Sequence, residues 1–207
     1  MAESVKPRAA RTRATRRRIV DTAAELFIGQ GYGNTTLEQV AVGAGVAVQT
    51  VYFHFGNKRT LLKEAVDVAA VGDDEPVALL DRDWIDEARA ESDPRRFLEI
   101  WVRYGREVLG RIGPIMRVVR DAAVSDPEMA AQWAANAEER ATAFRVLVTQ
   151  LAERGPLRVP IDEAVDIVCA LQGPEVYEIL TRRGWTPQRW ERFVVDALTA
   201  ALLPERD

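Results

Sequence analysis

Apolar residues recur along this chain at the three- and four-residue spacing of helices, and no stretch alternates convincingly as a strand does. Leu37, Val40, Ala41 and Ala44 fall at i, i+3, i+4 and i+7, so a short helix there has one apolar face. Ahead of it, Ile19, Ala23, Leu26 and Phe27 form the inner stripe of a helix over about 14–30, which Gly31 ends. Behind it, Val46 and Val51 return to the same core, and Leu61, Leu62, Ala65, Val66 and Ala69 carry a further helix. Later stripes are Phe97, Ile100, Trp101, Tyr104 and Val108 up to Gly110, then Ala164, Val165, Val168, Cys169 and Leu171. Phe193, Val194, Ala197, Leu198, Ala201 and Leu202 make the last. The pattern predicts an all-α chain of about nine helices.

The punctuation between these stripes is mostly capping chemistry. Thr36 with Gln39 reads as a capping box, and Thr35 with Glu38 offers the same arrangement one residue earlier. Gly45 supplies the left-handed residue that ends the 37–44 helix, and Asn57 caps the next one. Asp93-Pro94 and Asp126-Pro127 are helix starts, the second opening a long helix to about residue 154 that Gly155 closes. Gly113-Pro114 predicts a break before a short helix over 115–123. An acidic loop is expected over 72–83 and a short helix over 84–90. Asp162 opens a helix that Pro174 interrupts. Thr186 caps the last helix with Pro187 at its first position, and Trp185 is expected to pack on Trp190 as a hydrophobic staple. Residues 1–12 have few apolar groups and alternating arginines, and are expected to be a disordered basic arm.

Residues 35–55 form the stretch with the clearest chemistry. Two short helices joined by a tight turn, with a small Ala41 where they cross, make the pattern of a helix-turn-helix, whose second helix enters the DNA major groove. Ala47, Val48, Gln49, Tyr52 and Phe53 fall mostly on its outer side. The amide of Gln49 matches adenine N6 and N7, and Val48 or Ala47 can touch a thymine methyl. Thr50, Tyr52 and His54 carry hydroxyl or ring N–H groups suited to phosphate oxygens. Lys58, in the first turn after Asn57, adds a cation to a helix N-terminus and makes a phosphate site. Thr36 and Arg16 complete the set of candidate DNA-facing residues, Arg16 within the basic run of Arg11, Arg13, Arg16, Arg17 and Arg18. The plainer alternative is an ordinary helical hairpin in a core, with Tyr52 packed as an aromatic and His54 as a local cap or solvated ring.

The block 16–62 resembles the DNA-binding domain of TetR-type (tetracycline-repressor-like) bacterial transcriptional regulators. The matching signals are residues 19–27 with Gly31-Tyr32, then Thr35-Thr36, Ala41, Ala44-Gly45-Val46, Thr50-Val51-Tyr52, His54-Phe55, Asn57-Lys58 and Leu61-Leu62. The resemblance covers roughly a quarter of the chain and is specific in combination. One departure is Ala47, where the family usually places a Ser or Thr cap, at a local cost of about 1 kcal/mol. The resemblance implies that Tyr52 and His54 contact the DNA backbone. It also implies a helix-turn-helix domain over 13–56 (motif about 35–55) followed by a larger effector-binding and dimerisation domain over 57–207. The family further implies pairing of the last two helices, about 162–183 and 187–203, across a twofold axis. Such a homodimer sets two recognition helices on successive major grooves of a palindromic double-stranded operator.

Charge sharpens this picture. Residues 1–63 carry ten Lys/Arg against four Asp/Glu, whereas residues 64–207 carry 18 against 28, so a basic segment of net +6 precedes an acidic body of net −10. That split is the footprint of a polyanion partner. No run of 18 or more uninterrupted apolar residues offers a membrane span, and the basic, polar N-terminal residues hold no apolar signal segment, so the expected compartment is the cytoplasm. One cysteine, Cys169, and one histidine, His54, provide neither an internal disulfide nor a Cys/His metal site. No Gly-rich phosphate loop, nucleophile–His pair or Glu-x-x-His spacing appears, so no enzyme, cofactor or metal is expected.

The body holds Trp101, Tyr104, Met116, Trp133, Phe144, Cys169 and Tyr177, large or soft groups on central helices that either fill a core or line a cavity for an apolar effector. The resemblance favours the cavity, since TetR-type regulators hold effectors there. Arg103, Arg106, Arg117 and Arg120 either favour an anionic effector or are solvated helix faces. The expected function is a sequence-specific transcriptional regulator, a repressor released by a small molecule. The rivals are a helical ligand-binding protein without specific DNA readout and a nonspecific nucleic-acid binder.

Overall fold

The computed structural model describes residues 5–72 and 83–205. Ten α-helices and no strand occur among them: α1 (Val5–Asn34), α2 (Leu37–Gly43), α3 (Val48–Phe55), α4 (Lys58–Val71), α5 (Asp83–Ala90), α6 (Pro94–Ala123), α7 (Pro127–Ala152), α8 (Ile161–Leu171), α9 (Pro174–Arg182) and α10 (Pro187–Leu202). The all-α architecture is the one the periodicity predicts. The acidic stretch at 73–82 and the first four residues of the expected arm lie outside the described residues.

The chain divides into two compact units. Met1–Asp74 with Pro114–Trp133 make the first, and Glu75–Gly113 with Ala134–Asp207 the second. The first unit therefore takes in α4 and a later segment, and its edge does not coincide with the boundary expected at 56/57. Within it α1 packs on α2 and α4, and α2 packs on α3. The core is the predicted stripe of Ile19, Ala23 and Phe27 with Val20 added, closed by Val40, Val51, Leu61 and Leu62. Gly31, at φ 83° and ψ 163°, breaks the regular helix where expected. Thr36 and Gln39 form the complete capping box: the Gln39 amide N–H donates to Thr36 Oγ1, and the Thr36 N–H donates to Gln39 Oε1. Asn57 Oδ1 accepts from the Thr60 N–H at 2.9 Å and starts α4.

In the second unit α10 lies against α8 and α9. Trp190, Val194 and Leu198 on α10 and Ala164, Val165 and Val168 on α8 are all buried in its core. Arg154 ties the unit together, its guanidinium donating to the carbonyls of Ala88 and Glu91, each at 2.8 Å, while lying 4.2 Å over the Phe97 ring.

Three local expectations need correction. Residues 5–12 are helical rather than disordered, because Ala and Arg are strong helix formers and Pro7 sits in the first turn, where its missing N–H costs little. The break at Gly113-Pro114 does not occur, and α6 runs through Pro114. The apolar stripe continues past it with Ile115, Met116 and Val119 buried, so packing outweighs the one backbone hydrogen bond that proline cannot make. Finally, Trp185 packs edge-on against Phe193 at 5.5 Å, not on Trp190, whose ring meets Tyr177 at 5.2 Å.

Candidate nucleic-acid interface

Val51 and Phe55 hold α3 to the core, and Val51 is wholly buried. With about 100° per residue, Gln49 and Phe53 then fall about 160° and 200° from Val51, at the outer pole of the helix. Gln49 is exposed, and Phe53 is 84% exposed. Tyr52, at 48% exposure, stands to one side of this pole, and half-buried Thr50 to the other. Half-buried His54 meets the Phe53 ring edge-on at 5.3 Å. Val48 is half-buried and Ala47 exposed. Ala47 is the N-cap and makes no side-chain cap bond, although its carbonyl accepts from the Thr50 N–H at 2.9 Å. Gly45, at φ 63°, makes the turn that sets α3 across α2. At the end of α2, a Cβ on Gly43 would come within 2.7 Å of Thr22 Cγ2, so α1 and α2 approach closely there.

The basic residues divide into two groups. Lys58, expected at a phosphate, instead turns inward: its ammonium donates to the carbonyls of Tyr32 at 2.7 Å and Thr35 at 2.9 Å and lies 4.3 Å over the Tyr32 ring. Burial lowers its pKa from the ordinary lysine value, while Asp126 acts in the opposite direction. Arg16 pairs with Glu64 at 2.7 Å and lies 4.9 Å over the Phe55 ring, so it braces α3 and α4 from behind. Arg18 donates to the Ala44 carbonyl at 2.7 Å and satisfies the end of α2. Arg11 and Arg13 are exposed. Thr36, though exposed, spends its hydroxyl on the capping box.

The seven candidate effector residues are not gathered in one unit. Met116 and Trp133 belong to the first, and Trp101, Tyr104, Phe144, Cys169 and Tyr177 to the second. In the second, buried Trp101 meets the Phe144 ring at 5.9 Å. Cys169 and Tyr177 are raised in pKa, chiefly by burial. Three of the four arginines considered for an anionic effector are engaged with carboxylates: Arg103 with Glu87 at 2.8 Å, Arg106 with Glu191 at 2.7 Å, and Arg120 with Asp121 at 3.4 Å. The described residues contain no group of three or more His, Cys, Asp or Glu side chains placed to hold a metal ion, and no described helix is long and apolar enough to cross a membrane.

Residues 19–65 match the family model described as bacterial regulatory proteins, tetR family. Over that segment the chain is similar to tetR-family regulators. A relative, the uncharacterized HTH-type transcriptional regulator TtgW of Pseudomonas putida, is 46% identical over 55 residues, which is 27% of this chain and 41% of that protein. The chain thus spans less than half the length of this relative. NalD of Pseudomonas aeruginosa, the secondary repressor of the MexAB-OprM multidrug efflux pump, shares the fold with a TM-score of 0.69 at 21% identity, over 94% of this chain and 100% of NalD. SmeT, solved as a complex with triclosan, superposes with a TM-score of 0.71 at 19% identity over 93% of each chain. The sequence likeness to TtgW is thus confined to 55 residues, while the structural likeness covers nearly the whole chain. Phe53 is the residue that motif reading left without a role. Its signal was available in its register, four residues after Gln49 on the outer line of the helix.

Proposed function

We propose that this protein is a tetR-type regulator: a homodimeric, sequence-specific repressor of transcription that a small molecule releases from its operator. The observation that carries the reading is the outer face of α3: an exposed Gln49 flanked by Thr50, Tyr52 and His54, on a helix anchored from behind by Val51 and Phe55. A planar amide at the pole and hydroxyl or ring N–H groups on the flanks suit a base edge between two phosphate walls. Exposed Arg11 and Arg13 add the cations that a polyanion needs. The last helices support the dimer, since Ile161, Ile179 and Phe193 are apolar residues left exposed on α8, α9 and α10. SmeT, of the same fold, is solved with a small organic molecule. The aromatic and soft groups Trp101, Tyr104, Phe144, Cys169 and Tyr177 support an apolar effector in the second unit, and the carboxylate-paired arginines argue against an anionic one.

The test is selection of bound duplexes from a random-sequence pool by the purified protein, repeated with Q49A. The expected result is an enriched palindrome whose preference at one base position per half-site is lost in Q49A. Enrichment that is identical for both proteins would remove Gln49 from readout.

A further inference from the structure

Five phenylalanines other than Phe53 find shelter to some degree, with Phe27 and Phe97 fully buried, Phe55 nearly so, Phe144 half-buried and Phe193 39% exposed. Phe53 is 84% exposed, on a helix that already has its two core anchors in Val51 and Phe55. The fold of the first unit makes no use of this ring beyond the edge contact with His54.

We propose that Phe53 is a second base-reading residue of α3 and that its ring meets the C5-methyl group of a thymine. The inference rests on the reading of the protein as a sequence-specific DNA binder. The chemistry of the ring selects the target. A phenyl group has no donor or acceptor, so it neither holds a phosphate nor pairs with the polar edge of a base. Among the groups that base pairs present in the major groove, the thymine methyl is the apolar one. The position agrees: Phe53 and Gln49 share the outer pole of the helix, with Thr50 and Tyr52 each about 80° from it on opposite sides. Four residues of helix advance about 6 Å, or about two base-pair steps, so the methyl belongs within about two pairs of the base that Gln49 engages.

The experiment uses the intact protein and the duplexes selected from the random pool. Each thymidine of the enriched half-site is replaced singly by deoxyuridine, which removes one methyl and leaves the hydrogen-bonding edge intact. One position is expected to weaken binding about three- to fivefold. In F53A the same replacement is expected to change nothing, because thymine and uracil duplexes then bind equally. F53L, still apolar, is expected to keep part of the difference. Exposure of the ring makes F53A a fold-neutral variant, checked by an unchanged thermal midpoint. Insensitivity of the wild type to every replacement would overturn the proposal. So would a thymine preference that persists in F53A and disappears in V48A, which moves the methyl contact to Val48. Absence of any enriched sequence would instead overturn the underlying reading of specific DNA binding.

Discussion

The ammonium of Lys58 lies 2.7 Å from the carbonyl oxygen of Tyr32 and 4.3 Å from the centre of the same residue's ring. With a second bond to the Thr35 carbonyl at 2.9 Å, it joins the end of α1, the approach to α2 and the first turn of α4. Both bonds are charge-assisted and half-sheltered from water, so the K58A variant is expected to lose about 2 kcal/mol of stability. In a chain of this size that is a drop in thermal midpoint of about 4–8 °C. A lysine on a phosphate behaves differently: its removal lowers the slope of log affinity against log salt by about one. For K58A the slope is expected to stay unchanged. A lowered slope with an unchanged midpoint would return Lys58 to the DNA surface.

Ala47 starts α3 without a side-chain cap. Its extended backbone, φ −68° and ψ 144°, already suits a capping residue. A47S is therefore expected to stabilise the protein by about 0.5–1 kcal/mol, read by thermal or denaturant unfolding. The complementary change, T36A, removes the hydroxyl that accepts from the Gln39 N–H and is expected to cost about 1 kcal/mol. Equal stability of A47S and wild type would mean that the hydroxyl does not reach the open N–H groups of α3.

The contrast between these residues shows what was legible in the sequence. Caps and turns were, because Thr36, Asn57, Asp126, Thr186 and Gly45 act on backbone groups within a few residues of themselves. The helical stripes were legible for the same reason. Lys58 was misread because its partners, the Tyr32 and Thr35 carbonyls, lie more than twenty positions away in the chain. Pro114 was misread because a local break signal is outweighed by the burial of Ile115 and Val119, which only the packed fold reveals. Trp185 had two apolar partners within reach of its cap, and the register of α10 selected Phe193. Of the candidate interface, the register of α3 supplied Gln49, Thr50, Tyr52 and His54, whereas the inward turn of Arg16 required the position of Glu64 on α4.

Cys169 offers a chemical probe of the second unit. Burial raises its thiol pKa above the ordinary cysteine value of 9.0, with Arg140 opposing. At neutral pH the thiolate fraction is accordingly smaller than in the unfolded chain, and alkylation by iodoacetamide is expected to be slower in the folded protein than in denaturant. The same shift sets a sign for stability. The folded state keeps its proton to higher pH than the unfolded state, so this contribution is complete below the unfolded pKa and is lost as pH rises through the folded one. Mass spectrometry after timed labelling at pH 7 checks the first statement, and equal rates for folded and denatured chains would contradict it. Denaturant unfolding at pH 7 and pH 9 checks the second, with lower stability expected at the higher pH.

Specific recognition of DNA by α3 would show itself in binding to fragments of the DNA upstream of the protein's own gene against scrambled fragments, at two salt concentrations. Phosphate contacts alone give a steep salt dependence and no preference between fragments. Readout by α3 gives one preferred fragment whose preference survives the higher salt and falls in Q49A. Equal, salt-sensitive binding to every upstream and scrambled fragment would contradict it.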